Sequence, residues 1–399
     1  MNHISRIYDS VLSEHLQENR QMIFFSGPRQ VGKTTVSRLA GNAYLDWDNR
    51  NHQMIILKGP DAVAEFCGLH IASATLPVIV FDELHKFPRW KNFLKGFFDT
   101  YESQCRIVAT GSARMDIYRR GGDSLMGRYF PYRLHPLSVA ELLHADIEED
   151  LIRKPSKLND EDWDTLRTHG GFPEPFLHRN VRFTARWRTQ RTERLFKEDL
   201  RDLTRIQEFS LIEILARILA DRSGEQLVFA NLASDIQVAP NTAKVWVNTL
   251  VSTYYGFLVH PWFRNVSKAL RKEPKWYLRD WSGLLDTGSR AETFTACHLL
   301  KAVEYWTDTG RGHFELRYVR DKQKREVDFL VVRDEKPWFL VEVKQSETTL
   351  SPSLAYFQQQ TGAKHAFQVV MNLPYIETDC FARSAPVVVP ARTFFSQLI

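Results

Sequence analysis

The 399-residue sequence is poor in cysteine, has no long apolar run and shows no strong excess of charge of either sign. Its four cysteines are scattered and form no CxxC pair: Cys67, Cys105, Cys297 and Cys380. This pattern argues against a disulfide scaffold and a structural zinc site. The longest apolar runs, such as 76–81, are far shorter than the roughly 18 residues that a membrane-spanning helix needs. Since the amino-terminal residues also lack the apolar segment of a secretion signal, we expect a cytoplasmic protein without a membrane partner.

The composition supplies ample material for folded cores. Hydrophobic residues make up 43% of the chain, charged residues 25% and aromatic residues 12%, values close to the average of globular proteins. Disordered, collagen-like and coiled-coil chains are thereby excluded. At roughly 100–200 residues per domain, the length predicts two or three domains. The net charge of +5 is compatible with a polyanionic partner but does not identify one.

The first motif is a glycine-rich segment that follows an apolar run at 22–25, which predicts a buried strand. The predicted nucleotide-binding residues are consecutive: Gly27, Pro28, Arg29, Gln30, Val31, Gly32, Lys33, Thr34 and Thr35. They contain the P-loop pattern GxxxxGKT, in which backbone N–H groups surround the phosphates of ATP. We predict that Lys33 reaches the β- and γ-phosphates and that the Thr34 hydroxyl binds Mg²⁺.

Two further apolar runs end in polar side chains. The run at 77–81 leads into Asp82 and Glu83, and the next run leads into Thr110 and Ser112. Beside a P-loop, we expect Asp82 to hold Mg²⁺ and Glu83 to polarise the water that attacks ATP. The alternative is that both acids only mark a solvated strand end. Either Ser112 or Thr110 would sense the γ-phosphate, and the alternation of strands and helices predicts an α/β fold with a parallel sheet.

Several arginines follow the third run and are candidates for a finger that reaches the γ-phosphate of a neighbouring subunit. They are Arg114, Arg119, Arg120 and Arg128. Arg128 is the preferred candidate, and the alternative is an ordinary surface arginine in a glycine-rich loop. A finger supplied by a neighbour predicts a homo-oligomer.

The middle of the chain contains a basic segment with helical spacing. Its cations are Arg182, Arg186, Arg188, Arg191, Arg194, Lys197, Arg201 and Arg205. The default interpretation is a solvated helix, and the functional one is a surface that follows nucleic-acid phosphates.

Residues 231–236 and 240–250 predict a helix-turn-helix followed by a wing strand at 254–259. Pro240 is well placed to open the second helix. Three polar side chains near that helix start would reach a DNA groove: Asn241, Thr242 and Lys244. Such modules also serve as protein-contact domains, so both partners stay open.

A second group of chemically competent residues lies on a predicted β-hairpin, 326–332 and 337–344. Pairing that is symmetric about Glu335 places Asp328 opposite Glu342, with Lys344 on the same face. We predict that both carboxylates bind Mg²⁺ and that Lys344 positions or deprotonates the attacking water. The alternative is a salt-bridge cluster without catalysis.

Together these motifs resemble the prokaryotic AAA-type ATPases that carry a carboxy-terminal domain of unknown function with a nuclease-like core. The matching segments are 27–34, 78–86, 110–112, 124–128, 135–141, 170–175 and 274–280. The resemblance implies four regions. They are an ATPase core at 1–145, a helical lid region at 146–222, a winged-helix-like region at 223–285 and an α/β nuclease-like domain at 286–399.

The Asp, Glu-x-Lys order at the hairpin resembles the PD-(D/E)xK nucleases. This resemblance implies that Glu292, on a preceding helix, completes the site, and that Tyr356 and Gln358 are polar residues of the helix after the last strand. The usual Pro-Asp pair is absent, because Val327 precedes Asp328.

These observations predict an ATP-hydrolysing, DNA-binding protein that remodels duplex or branched DNA, including Holliday junctions, and cleaves it with Mg²⁺. The alternative is a nucleotide switch, in which ATP controls assembly and the carboxy-terminal domain only binds nucleic acid or a protein partner.

Overall fold

The computed structural model describes residues 4–111, 125–200, 209–263 and 273–399. The chain divides into two compact units, Met1–His135 with Ala145–Ile147, and Pro136–His144 with Glu148–Ile399. Seven residues singled out from the sequence lie outside the described ranges: Ser112, Arg114, Arg119, Arg120, Ser124, Arg201 and Arg205. Within those ranges, no helix combines the length and apolarity needed to cross a membrane.

The first unit contains a five-stranded parallel sheet in the order β2-β3-β4-β1-β5. The strands are β1 (Met22–Ser26), β2 (Ala43–Asp46), β3 (Val78–Asp82), β4 (Arg106–Gly111) and β5 (Tyr129–Arg133). The helices are α1 (Ile7–Glu18), α2 (Lys33–Ala40), α3 (Arg50–Lys58), α4 (Pro60–Phe66) and α5 (Trp90–Tyr101). The predicted parallel α/β sheet is therefore confirmed for this unit.

Aromatic packing against the central strands explains why they are almost entirely apolar. Phe81 of β3 has its ring centroid 5.6 Å from that of Phe93 and 5.5 Å from that of Phe97, both on α5. Phe24 of β1 packs against Trp90 at 5.7 Å. Strands covered in this way have no solvent face, so continuous apolar sequence is favoured over alternation. The carboxyl ends of β1, β3 and β4 then meet at one edge of the sheet.

The second unit combines ten helices with a mixed sheet, among the residues that the structure describes. The helices are α6 (Val139–Leu143), α7 (Asp160–His169), α8 (Pro173–His178), α9 (Val181–Arg194), α10 (Phe209–Asp221), α11 (Phe229–Asp235), α12 (Pro240–Ser252), α13 (Thr287–Asp308), α14 (Pro352–Thr361) and α15 (Ala391–Ser396). A π-helical turn, Leu195–Asp199, continues α9. Pro240 opens α12, where its missing N–H and fixed φ are tolerated.

The sheet of the second unit has seven strands in the order β12-β11-β10-β9-β8-β6-β7. The strands are β6 (Gly256–Pro261), β7 (Lys275–Leu278), β8 (Phe314–Arg320), β9 (Glu326–Arg333), β10 (Lys336–Lys344), β11 (His365–Val370) and β12 (Val387–Pro390). The pair β6 and β7 is antiparallel, and β6 joins the rest of the sheet through parallel pairing with β8.

The β9–β10 hairpin differs from the predicted one at its turn. The two loop residues are Asp334 and Glu335, with φ of 48° and 65°, as in a tight type I′ turn, so the hairpin is not centred on Glu335. A register shift between Pro337 and Phe339 then moves the pairing, after which Val341 lies opposite Phe329. Continuing that register by one residue places Glu342 opposite Asp328, because the irregularity compensates for the shifted turn.

Candidate functional site

The P-loop joins the end of β1 to the start of α2, and its two glycines are required by geometry. A Cβ on Gly27 would lie 2.4 Å from the carbonyl oxygen of Leu134. Gly32 has a φ of 107°, in the left-handed region that other residues rarely adopt. The loop therefore curls in the way that exposes its backbone N–H groups to a phosphate.

Lys33 lies across this loop. Its Nζ donates to the carbonyl oxygens of Gly27 and Pro28, both at 2.9 Å. An ammonium held by neutral carbonyls keeps its positive charge available to an anion. Within the same loop, Gln30 has a φ of 63° and a buried Oε1 that accepts no hydrogen bond from the described residues.

Arg6 contacts the backbone of the P-loop. It was not predicted as a site residue. Its guanidinium is buried and donates to the carbonyl oxygens of Val31, at 2.8 Å, and His135, at 2.6 Å. These partners lie 25 and 129 residues away in the chain, so no local pattern reveals the contact. Arg6 thereby fixes the middle of the P-loop to the segment that follows β5.

Asp82 collects three hydroxyl groups at the end of β3. Thr34 Oγ1 donates to Asp82 Oδ2 at 2.9 Å, the Tyr44 hydroxyl donates to the same oxygen, and Thr110 Oγ1 donates to Oδ1. Burial and the adjacent Asp82 carboxylate raise the pKa of Tyr44 above its usual range, so this phenol remains a donor. The sequence places Thr34, Asp82 and Thr110 at one site, and the structure adds Tyr44.

Glu83 follows Asp82 in a left-handed conformation, with a φ of 53°. Its Oε2 lies 3.5 Å from Lys86 Nζ and 3.8 Å from His85 Nε2. Lys86 makes a shorter contact, 2.7 Å, with Asp48. Burial lowers the pKa of His85, which leaves Lys86 as the cation beside Glu83. A carboxylate placed here can accept a proton from, or orient, a water molecule at the loop.

Arg128, the preferred finger, is bound within its own unit. Its Nε and Nη2 donate to the two carboxylate oxygens of Asp99 at 2.6 and 2.9 Å. A role on the nucleotide of a neighbouring subunit requires this bidentate pair to open. The finger role of Arg128 stays a prediction.

The second unit contains a carboxylate cluster, formed by Glu292, Glu326, Asp328 and Glu342. At its centre is a lysine that sequence reasoning did not assign. Lys275 Nζ lies 3.0 Å from Glu292 Oε1, 2.6 Å from Glu326 Oε1 and 3.6 Å from Asp328 Oδ1. Because the three acids outweigh the effect of burial, the pKa of Lys275 rises above its usual range.

Tyr277 lies two residues further along β7, on the same face of the strand as Lys275. Its hydroxyl donates to Glu292 Oε1 at 2.7 Å. Burial, together with the charge of Asp328, raises the pKa of Glu292 to about 7. The structure thus brings Glu292 of α13 to the hairpin acids, as the resemblance implied, but through two residues of β7.

Asp328 and Glu342 meet across the hairpin. Asp328 Oδ2 accepts from the backbone N–H of Val343 at 2.9 Å, and Lys344 Nζ donates to Glu342 Oε1 at 2.9 Å. Glu342 Oε2 is buried and has no hydrogen-bond partner among the described residues. Burial, with Asp328 nearby, raises the pKa of Glu342 to about 7.

These two carboxylates fit a Mg²⁺ ion that keeps several of its waters, since protein sites for Mg²⁺ typically supply one or two carboxylates. The unpartnered Oε2 of Glu342 is the observation that favours cation binding at this pair. Within the described ranges, no three side chains of His, Cys, Asp or Glu are arranged to hold a metal ion. The side chains of this cluster would therefore not fill the coordination shell of a metal ion by themselves, and water would supply the remaining ligands.

The two residues that the resemblance placed on the last helix make other contacts. Gln358 Nε2 donates to the carbonyl oxygens of Ala363, at 3.2 Å, and Ser384, at 2.6 Å, which closes the end of α14. The Arg325 guanidinium lies 3.8 Å from the ring centroid of Tyr356. Both side chains are thus engaged in contacts around α14, the helix that follows β10.

Comparison with known protein families matches three segments of the chain. An AAA domain matches residues 19–143, a domain of unknown function (DUF8612) matches 160–293, and a second one (DUF4143) matches 287–383. Together with the P-loop geometry, the first match supports an AAA-type P-loop ATPase domain. The carboxy-terminal DUF4143 domain is present.

Curated relatives include uncharacterized proteins of Mycobacterium bovis and Mycobacterium tuberculosis. Each is 28% identical over 266 residues, which cover 66% of this chain and 55% of the relative. An uncharacterized protein of Methanocaldococcus jannaschii is 21% identical over 295 residues, 65% of this chain and 60% of the relative. The chain thus spans little more than half the length of these proteins.

Solved structures with detectable similarity include AMPPCP-bound DnaA from Aquifex aeolicus. It has a TM-score of 0.32 and 14% identity, and the match covers 63% of this chain and 89% of that one. C. elegans PCH-2 has a TM-score of 0.25 and 12% identity, with 41% and 44% coverage.

Proposed function

We propose that the chain is an ATP-hydrolysing, DNA-binding protein that remodels duplex or branched DNA, including Holliday junctions, and cleaves it with its carboxylate cluster and Mg²⁺. The observation that carries the proposal is the presence of two sites for phosphate chemistry in one chain. The first is the P-loop with Asp82, and the second is the hairpin pair of Asp328 and Glu342.

Several groups of the nucleotide site support a role in ATP hydrolysis. Lys33 is held over the loop by two carbonyls, where it would bind the β- and γ-phosphates. Thr34 and Asp82, which are joined by a hydrogen bond, would hold Mg²⁺. When bound, Mg²⁺ supplies neutralisation of the charge that develops on the transferred phosphoryl group. Glu83 orients the attacking water, and Arg128 of a neighbouring subunit completes the site in a homo-oligomer.

Exposed polar and basic side chains support DNA binding. On α12, Asn241, Lys244 and Asn248 are exposed, as are Arg182 and Arg186 on α9. A helix that follows a short helix and a turn presents such side chains to a DNA groove. Arginines along a second helix fit the regularly spaced phosphates, whose contacts dominate affinity and make it salt-dependent.

The hairpin pair supports cleavage of a phosphodiester. Asp328 and Glu342 would hold Mg²⁺, which supplies charge neutralisation and a more acidic water. Lys344, 2.9 Å from Glu342, would position the attacking water. Glu292 is held in the same cluster by Tyr277 and Lys275.

The experiment that tests this function follows end-labelled linear, forked and four-way DNA on a gel, with Mg²⁺ and with or without ATP. We expect cleavage by the wild-type chain, loss of cleavage in Glu342→Ala and Lys344→Ala, and normal ATP hydrolysis in both. Lys336→Ala, an exposed lysine at the other end of β10, is the matched control and should cut normally. Retained cutting in both site variants would refute the assignment of the cluster.

A second candidate function is favoured by one observation, the lysine in the middle of the carboxylates. A cluster whose acids are neutralised by Lys275 can persist as a salt-bridge core without catalysis. In that case the chain is a nucleotide switch, and its carboxy-terminal domain only binds nucleic acid or a protein partner. Slow ATP hydrolysis that DNA does not change, together with no metal-dependent cleavage, would favour this alternative.

A further inference from the structure

Lys275 lies where a cation has the most to gain, but it reaches that place from a different element than the acids do. It comes from β7, whereas Glu326 and Asp328 come from β9 and Glu292 comes from α13. Its side chain is only 5% exposed. The three carboxylates therefore replace water as the partners of the ammonium group, which binds them in the way that a metal ion would.

The position of Nζ conflicts with a divalent ion at the same acids. Nζ lies 3.6 Å from Asp328 Oδ1, so an ion bound to that oxygen would lie within a few ångströms of the ammonium group. Two cations at that separation in a poorly hydrated site repel each other strongly. Among the described residues, the ion pairs of Lys275 are with three acids other than Glu342, whose Oε2 has no hydrogen-bond partner.

We propose that Lys275 is an internal counter-cation that competes with the divalent ion for Asp328, the proposed metal ligand that it already contacts. Metal then binds tightly only when the Lys275 ammonium group withdraws from this carboxylate. This inference rests on the proposed metal site, and it makes Lys275 a positioning residue that sets the affinity of the site for metal. The role follows from the juxtaposition of Lys275 Nζ with the oxygens of three carboxylates.

The direct test is calorimetric titration of the nucleotide-free full chain with Mn²⁺. Lys275→Met should bind the ion at least about 10-fold more tightly than wild type, because the variant lacks the competing charge. Lys275→Arg, which keeps the charge, should not gain affinity. Adding Glu342→Gln to Lys275→Met should abolish the tight binding, which distinguishes this site from the P-loop.

Arg320→Met is the matched control for a general effect of charge. Arg320 Nη1 lies 2.6 Å from Glu326 Oε2, and its side chain is 33% exposed. Removal of this cation takes away the same charge at the edge of the cluster but displaces nothing from Asp328. Its Mn²⁺ affinity should change less than about 3-fold, because water screens an exposed charge.

If Lys275→Met does not fold, the wild-type chain still tests the inference. Saturating Mn²⁺ should increase modification of Lys275 by an amine-acetylating reagent at least severalfold, as measured by mass spectrometry, since the ion expels the buried ammonium group. Unchanged modification under saturating metal would overturn the inference.

The outcomes separate this inference from the proposed nuclease. Equal Mn²⁺ affinity in wild type and Lys275→Met overturns the role of Lys275 while leaving the nuclease intact. No binding that depends on Glu342 in any variant overturns both. Tighter binding in Lys275→Met without any DNA cleavage supports the inference and refutes the nuclease.

Discussion

The two units hold the carboxylates of their candidate sites in opposite ways. In the first, Asp82 accepts hydrogen bonds from the hydroxyls of Thr34, Tyr44 and Thr110. In the second, Asp328 and its neighbours surround the ammonium group of Lys275. Hydroxyl donors position a carboxylate without neutralising it, whereas a lysine positions and neutralises it at once.

This difference bears on how each site can take up a cation. A carboxylate oriented by neutral donors keeps its full charge, so a Mg²⁺ ion at Asp82 would meet no competing cation among these three partners. At the second site the protein already supplies a positive charge, and a metal ion must replace it. A motif of acids therefore does not by itself indicate metal binding, because a neighbouring lysine or arginine can take the place of the metal ion. The motif does not show whether such a cation is present.

The largest expected effect is on ATP hydrolysis at the nucleotide site of the first unit. Lys33→Ala should reduce ATP hydrolysis roughly 1,000-fold, because the variant lacks the only side-chain cation of the P-loop pattern that reaches the β- and γ-phosphates. Phosphate release measures this rate, and Lys344→Ala is the control that should hydrolyse ATP normally. Substantial hydrolysis in Lys33→Ala would contradict the assignment of the nucleotide site.

The second-largest effect concerns the contribution of Lys275 to the stability of the folded chain. Without metal, Lys275→Met should lower the free energy of unfolding by about 3–5 kcal/mol, because three partly buried carboxylates lose their buried counter-charge. Arg320→Met, which removes a partly exposed cation from the same cluster, should cost at most about 1 kcal/mol. Urea unfolding at pH 7 measures both. Similar small losses in the two variants would mean that the cluster does not depend on its central lysine.

The parts of both sites that were predictable depend on local sequence. The P-loop, the acids that end β3 and the strands themselves follow from apolar runs and glycine positions, and the structure places Thr34 on Asp82 as expected. The opposition of Asp328 and Glu342 also follows from one hairpin. Its turn was misplaced because Asp334 and Glu335 both adopt positive φ, which their identities do not require.

The parts that were not predictable depend on contacts between distant segments. Lys275 contacts Asp328 although β8 and β6 lie between β7 and β9 in the order of the sheet, and the two residues are far apart in the sequence. Arg6 reaches Val31 and His135 by tertiary packing alone. A lysine or arginine in a sequence has no periodicity that identifies its partner, so local patterns predict the acids of a site better than the cations that neutralise them.

A smaller effect concerns His298, a buried side chain that is neutral in the folded chain. His298, on the same helix as Glu292, donates from Nδ1 to the carbonyl oxygen of Phe294 at 2.8 Å and accepts at Nε2 from the N–H of Val139 at 3.2 Å. Burial lowers its pKa to about 3. Unlike Lys275, this ring has both nitrogens satisfied in the neutral form.

The sign of the resulting pH dependence follows from proton binding. Between pH 6.5 and 3 the unfolded chain binds a proton at His298 that the folded chain excludes. The stabilisation is therefore complete above pH 6.5 and falls by about 1.4 kcal/mol per pH unit below it. His298→Gln should lose this component of the slope, measured by unfolding at several pH values, whereas the exposed His178→Gln should keep it. Parallel slopes in wild type and His298→Gln would refute the neutral-ring interpretation.

The smallest effect concerns the hydrogen bond that the Tyr44 hydroxyl donates to Asp82. Tyr44→Phe removes one of the three donors, and we expect a loss of about 1–2 kcal/mol in the free energy of unfolding, as for a hydrogen bond to a charged group. ATP hydrolysis should fall only severalfold, since Thr34 and Thr110 still orient the carboxylate. Tyr129→Phe, in a ring that stacks on Phe24 at 4.1 Å, is the matched control and should change neither quantity. If Tyr44→Phe hydrolyses ATP as fast as wild type while losing stability, Tyr44 supports the fold of the strand edge and the two threonines alone position Asp82.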